Sequence, residues 1–150
     1  MRKLIASLLA VLILFSVAVA DSVFVLCQPD SFVNVRAFPR KNADIAGRVE
    51  LGWQLETDGV RKNGYVHVEG FENGGWVCAG FLTSEQVTVY TFKTEILSKG
   101  RVACRRSIKG QRRKWLSDGQ KVTVYAFAGD WSVTNQGFVQ TQYLGGLCGK

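Results

Sequence analysis

The chain contains a single histidine, His67, in 150 residues. It also has no Cys-x-x-Cys pair, so the ligand spacing of a zinc site is missing and no metal is expected. No glycine-rich loop leads into a helix, which removes the usual phosphate cradle and leaves no expected cofactor. Nucleophilic hydrolysis needs a nucleophile beside a base, and glycoside cleavage needs two facing carboxylates. The acids of the first half, Asp44, Asp58, Glu69 and Glu72, fall at turns and read as solvated charge. His67 sits in an alternating segment and reads as an outward-facing strand residue. The expectation is a protein without enzymatic activity.

Other absences concern architecture. No stretch shows a convincing helical period; Thr91 to Lys99 is the one segment read as able to hold a helical turn. Beyond residue 20 there is no second long apolar run and no Gly/Ser-rich or Pro-rich linker. Residues 1–20 stand apart from the rest. Arg2 and Lys3 precede an apolar run from Leu4 to Val19, closed by Ala18-Val19-Ala20. That pattern predicts a secretory signal peptide cut before Asp21. An uncleaved membrane anchor is the rival reading, but the run is short of the ~20 residues that span a bilayer. The residue after the cut is Asp21 rather than cysteine, which argues against a lipid anchor.

What is present is a duplication. Phe32-Val33-Asn34-Val35-Arg36 is echoed by Arg101-Val102-Ala103-Cys104-Arg105, and Leu51 to Thr57 by Asp118 to Val124. Gly64-Tyr65-Val66-His67-Val68 is echoed by Gly129-Asp130-Trp131-Ser132-Val133, and Gly75-Trp76-Val77 by Gly137-Phe138-Val139. Self-similarity in conserved order marks two copies of one folding unit. The copies are assigned to 21–86 and 87–150, with the boundary near Ser84–Gln86 and the units close-set. Pairs such as Val23/Val25, Val33/Val35, Val66/Val68 and Val122/Val124 alternate with polar neighbours, the period of half-buried strands. Asp58-Gly59, Asn63-Gly64, Asn73-Gly74-Gly75, Asp118-Gly119 and Gly129-Asp130 supply turns. The fold class expected is all-β. Each copy has too few strands for an ordinary sandwich, so a small closed barrel follows, since closure removes exposed edges.

Units of about 60 residues are near the lower limit for a self-supporting core. Cys27, Cys78, Cys104 and Cys148 fall two per copy, and an even count in an exported chain points to disulfides. Three pairings are open; pairing within each copy, Cys27–Cys78 and Cys104–Cys148, is preferred. Four reduced thiols are the alternative.

Charge is uneven. Residues 21–86 carry six Lys/Arg against nine Asp/Glu, and residues 87–150 eleven against three. Arg101, Arg105, Arg106, Lys109, Arg112, Arg113 and Lys114 lie in one stretch without an acid. Such a run is either solvated surface or a seat for an anionic partner. Trp115 closes the stretch and is expected to anchor it in the core.

The motifs Val33-Asn34-Val35-Arg36, Ile45-Ala46-Gly47, Gly64-Tyr65-Val66-His67-Val68 and Gly75-Trp76-Val77 through Phe81-Leu82 resemble the bacterial SH3-type (SH3b) family. Val102-Ala103-Cys104-Arg105, Gly129 to Val133 and Gly137 to Leu144 fit it less closely. The resemblance implies two tandem small SH3-like β-barrels. It also implies a targeting module for peptidoglycan or another cell-wall polymer. Candidate ligand contacts are the basic loop (Arg105, Arg106, Lys109, Arg112, Arg113, Lys114) and the aromatics Phe38, Tyr65, Phe71 and Trp76. Tyr65 and Trp76 also suit the core or its rim, whereas Phe38 and Phe71 sit in loops and are expected to be exposed. The partner expected is an anionic cell-wall polymer such as teichoic acid, or peptidoglycan; a protein or host glycan is the alternative. Nucleic acid is disfavoured by export and by the acidic first copy.

Overall fold

The computed structural model describes residues 21–72 and 74–146. The expected signal peptide (1–20), Asn73 of the expected turn, and Cys148 lie outside the described residues. The chain is all-β. The first copy holds β1 (Asp21–Val25), β2 (Phe32–Arg36), β3 (Ile45–Glu50), β4 (Gln54–Thr57), β5 (Arg61–Lys62), β6 (Tyr65–His67), β7 (Trp76–Cys78) and β8 (Leu82–Thr83). The second holds β9 (Thr88–Glu95), β10 (Val102–Arg105), β11 (Arg112–Leu116), β12 (Lys121–Ala128), β13 (Trp131–Thr134) and β14 (Gly137–Gln140). A 3-10 turn follows β7 at Ala79–Phe81 and another follows β14 at Thr141–Tyr143. Of the segment Thr91 to Lys99, read from sequence as able to hold a helical turn, Thr91 to Glu95 belong to β9 and the rest is not helical.

Local chemistry explains the elements. In β2 and β7 the valines Val33, Val35 and Val77 turn inward and their neighbours outward. Asn63 and Gly64 both take positive φ, 51° and 78°, and close the two-residue hairpin from β5 to β6. Paired positive φ values match the right-handed twist of the flanking strands.

The strand orders are β4-β1-β8, β3-β2-β7-β6-β5 and β11-β10-β14-β13-β12-β9. These are one plan drawn twice. β12 plays in one piece the part that β4 and β5 play in two: it pairs with β9 from Lys121 to Phe127, and its second half pairs with β13 as well. In the first copy the chain breaks at 58–60, where Gly59 takes φ 79°. In the second a bulge at Tyr125 bends the strand without cutting it. The closed barrels expected from sequence are not formed. Each sheet keeps two edges among the described residues, because strands of two to eight residues with this break and this bulge do not complete a hydrogen-bonded ring.

Backbone hydrogen bonds repeat the equivalence. Gly52 N–H donates to the Val25 carbonyl and Gly119 N–H to that of Ile96, both at 2.8 Å. Leu26 N–H donates to Phe81 and Leu97 N–H to Tyr143, both at 2.9 Å. Ala79 N–H donates to Gly64 and Thr141 N–H to Asp130, again both at 2.9 Å. These bonds match Leu26 with Leu97, Gly52 with Gly119 and Phe81 with Tyr143.

Each copy has its own core. One gathers Val25, Val35, Val49, Val66 and Val77; the other gathers Ile96, Val102, Leu116, Val124, Val139 and Leu144. A third core lies between the copies. Leu26, with Leu51 and Phe81 at its margin, packs against Ala126, Ala128, Trp131, Val133 and Phe138. Burying apolar surface there stabilises the junction by roughly 25 cal/mol per Å² removed from water. The two copies are therefore welded along a face rather than strung on a linker.

Candidate functional site

The basic loop between β10 and β11 lies against the first copy. Ile108 N–H donates to the Gly80 carbonyl at 2.8 Å, and the Ile108 side chain joins the shared core. A Cβ at Gly80 would stand 2.8 Å from Ser107 Oγ, so the serine would have to turn aside for any larger residue there.

Docking the loop makes a cleft of about 450 Å³ at the junction. Its floor includes Phe81 and Phe138, whose rings meet edge to face at 6.1 Å between centroids. Phe32, Gln28 and Ser31 come from the first copy, and Arg105, Arg106 and Arg113 from the second. Among the described residues no carboxylate lines the cleft. Cys27 lines it too, but burial, followed by the Glu50 charge, pushes its thiol up to about 11. At neutral pH it is a protonated thiol and a poor nucleophile.

The six basic candidates separate by position. Arg106 and Arg113 are exposed and line the cleft. Arg105 also lines it, while its Nη1 donates to the Gly110 carbonyl at 2.8 Å and holds the loop. Arg112 lies over the Trp115 ring at 4.4 Å. Lys114 Nζ donates to Gln136 Oε1. Lys109, at φ 54°, lines a second recess with Glu85 and Asp130. Trp115 is not the expected core anchor. It is 46% exposed, because alternation along β11 turns Leu116 inward and Trp115 out.

The aromatic candidates do not form one site. Phe38 is exposed as expected and lines a shallow recess with Asp44 and Ile45. Phe71, expected to be exposed, is half-buried against the first core; a Cβ at Gly47 would lie 2.6 Å from its ring. Tyr65 and Trp76 are half-buried on the outer face of β6 and β7, where His67 pairs across to Trp76 at 5.0 Å between ring centroids. His67 Nδ1 lies 2.8 Å from Asp58 Oδ2. The Val60 N–H bonded to Asp58, followed by the His67 contact, holds that carboxyl below its usual range.

The expected Cys27–Cys78 disulfide is not formed; both thiols are free. Cys27 turns into the first core, while Cys78 sits on the opposite side of β7 from the inward Val77. Cys104 is also free, and its Sγ–H donates to the Gln136 carbonyl at 3.0 Å. Burial raises its pKa, opposed by the charges of Lys114 and Arg113.

Sequence reasoning did not single out Phe81, Phe138, Gln28 or Ser31 as cleft residues. The available signal was the repeat itself: Phe138 holds the position of Trp76.

No protein-family model and no curated protein matches the chain. Solved structures similar to it include two from Trichomonas vaginalis. NlpC1 from Trichomonas vaginalis is 16% identical, with a TM-score of 0.34, over 84% of this chain and 45% of that one. NlpC2 from Trichomonas vaginalis is 14% identical, with a TM-score of 0.36, over 84% of this chain and 48% of that one. The chain spans less than half of either, and likeness this slight carries neither fold nor function across.

Proposed function

We propose that the chain is a secreted, non-catalytic binding protein, built of two SH3b-like copies, that holds an anionic cell-envelope polymer in the cleft between them. The carrying observation is the cleft's charge: among the described residues, three arginines and no carboxylate around an aromatic floor. Guanidinium groups pair with phosphate through parallel hydrogen bonds, which suits a teichoic acid. Phe32, which is exposed, and the half-buried Phe81 offer apolar surface to the polyol or sugar between phosphates, with Phe138 buried behind them. Neither copy makes this site alone.

The test is retention on purified cell wall. The parent chain is expected to be retained at low salt and released as salt rises, since exposed charges are screened over about 8 Å at physiological ionic strength. Replacing Arg106 and Arg113 with Ser should weaken retention about ten- to thirtyfold, at ~1 kcal/mol for each exposed pair lost. Wall turbidity should stay unchanged throughout. Equal retention of parent and variant removes the cleft from the reading. No retention of the parent removes the wall polymer and leaves a protein or host glycan as partner.

A further inference from the structure

The junction between the copies has two sides, and the duplication supplies each side once more at the far ends of the molecule. On one side is the outer face of the second copy: Trp131, Val133, Phe138, Ala126 and Ala128, all in the shared core. Strand register identifies its counterparts in the first copy. Trp131 pairs with Gln140 as Tyr65 pairs with Cys78, and Val133 pairs with Phe138 as His67 pairs with Trp76. Phe127 opposes Ser132 as Arg61 opposes Val66, which matches Ala128 to Lys62 and Ala126 to Val60. Phe138 is 2% exposed, whereas Tyr65, His67 and Trp76 are half-buried and, among the described residues, join none of the three cores.

On the other side of the junction are Leu26, Leu51 and Phe81 of the first copy. The repeated backbone bonds match them to Leu97, Asp118 and Tyr143. Leu26 is fully buried, while Leu97 is 53% exposed. Among the described residues the molecule therefore presents, at each end, an uncovered version of one half of its own internal joint.

We propose that the free face of the first copy, Val60, Lys62, Tyr65, His67 and Trp76, takes the Leu97–Asp118–Tyr143 surface of a second copy of this chain, giving head-to-tail association. Two observations besides the equivalence favour this occupant. Where the internal joint has Ala128 and Leu51, the external one has Lys62 and Asp118, of opposite charge. The copies themselves differ in sign, with six basic against nine acidic residues in 21–86 and eleven against three in 87–150. Complementary charge steers and registers an association. The polar replacements His67 and Lys62 make the joint weaker than the internal one, so association is reversible and concentration-dependent. A heterologous contact of this kind grows into a ring or a filament rather than stopping at a symmetric dimer. The inference is independent of what the arginine cleft binds.

Sedimentation equilibrium of the purified chain over rising concentration tests it. The parent should gain mass with concentration and lose that gain in high salt. K62E and D118K alone should each be monomeric, because each sets like charges against one another. An equimolar mixture of K62E and D118K should regain association, since both pairings in it are then opposite in sign. Asp118 also accepts from Ser98 N–H at 2.8 Å, so L97D, at an exposed side chain, serves as a second tail variant if D118K is unfolded by circular dichroism. A parent that stays monomeric overturns the inference. So does a parent that associates while K62E and L97D associate equally, or a mixture of folded K62E and D118K that remains monomeric.

Discussion

Arg36 and Arg105 do the same work in the two copies: each Nη1 donates at 2.8 Å to a carbonyl across its own long loop, Ala43 for Arg36 and Gly110 for Arg105. Each stands at the end of the strand that opens its loop, β2 or β10. An aliphatic residue there leaves a partly buried carbonyl without its donor. The arginine that looks most like a ligand contact is thus also a structural clamp.

Arg105→Ala should therefore cost stability, about 1–3 kcal/mol for a charged, partly buried hydrogen bond. Arg106→Ala, exposed and unclamped, should stay within about 0.5 kcal/mol of the parent. Urea unfolding of both variants measures the difference. Equal midpoints mean that the Gly110 contact contributes nothing, and Arg105 then counts wholly as a cleft residue.

The duplication should not show as two unfolding events. Leu26 and Phe81 share a core with Phe138 and Trp131, so neither copy loses its packing alone. Calorimetry is expected to give one cooperative transition. Phe138→Ala should lower it by about 3–5 kcal/mol, the usual cost of emptying a buried phenylalanine site. Two resolved transitions in the parent chain would show the shared core to be a loose contact.

Much of this was legible in the sequence, and the limits are physical. Alternation at Val33/Val35 and Val122/Val124 and the turns at Asn63-Gly64 give strands and hairpins because both depend on neighbouring residues. The repeat matches Phe138 to Trp76 correctly, yet it says which residues are equivalent, not which are covered. Phe138 is buried by Phe81, a contact between distant parts of the chain that no local pattern encodes. The Cys27–Cys78 pairing failed for a related reason: an even cysteine count is a composition argument, and side-chain direction on β7 decides against it. The arginine cleft was half legible. The basic run announced its charge, but its aromatic floor required the docking of one copy on the other.

The free thiols should differ in reactivity. Cys78 is half-buried, while Cys27 and Cys104 are buried and carry raised pKa values. Iodoacetamide at mildly alkaline pH should label Cys78 ahead of Cys27 and Cys104 in the native chain and all four cysteines after denaturation, read by peptide mass. The sign for Cys27 follows from its folded pKa of about 11 against an ordinary 9.0. Its contribution to stability is intact below pH 9.0 and is lost as pH rises towards about 11. A peptide cross-linked from Cys27 to Cys78 would show that the two strands rearrange.

Asp58 sets the opposite case, at the acid end. Its folded pKa is depressed, so its contribution is present above its ordinary value of 3.8 and is lost as pH falls through the lower folded value. The first cause is the Val60 N–H; the His67 contact comes after it. His67→Ala should therefore leave the Asp58 carboxyl still titrating below 3.8, with only part of the depression removed. Asp58→Asn should flatten that segment of the pH–stability curve, since an amide keeps the turn's acceptor but cannot titrate. Carboxyl titration by NMR in the parent and in His67→Ala separates the two causes. Return of Asp58 to its ordinary value on loss of the imidazole would make the ion pair, rather than the turn from Asp58 to Val60, the force that holds this end of the first copy's outer face.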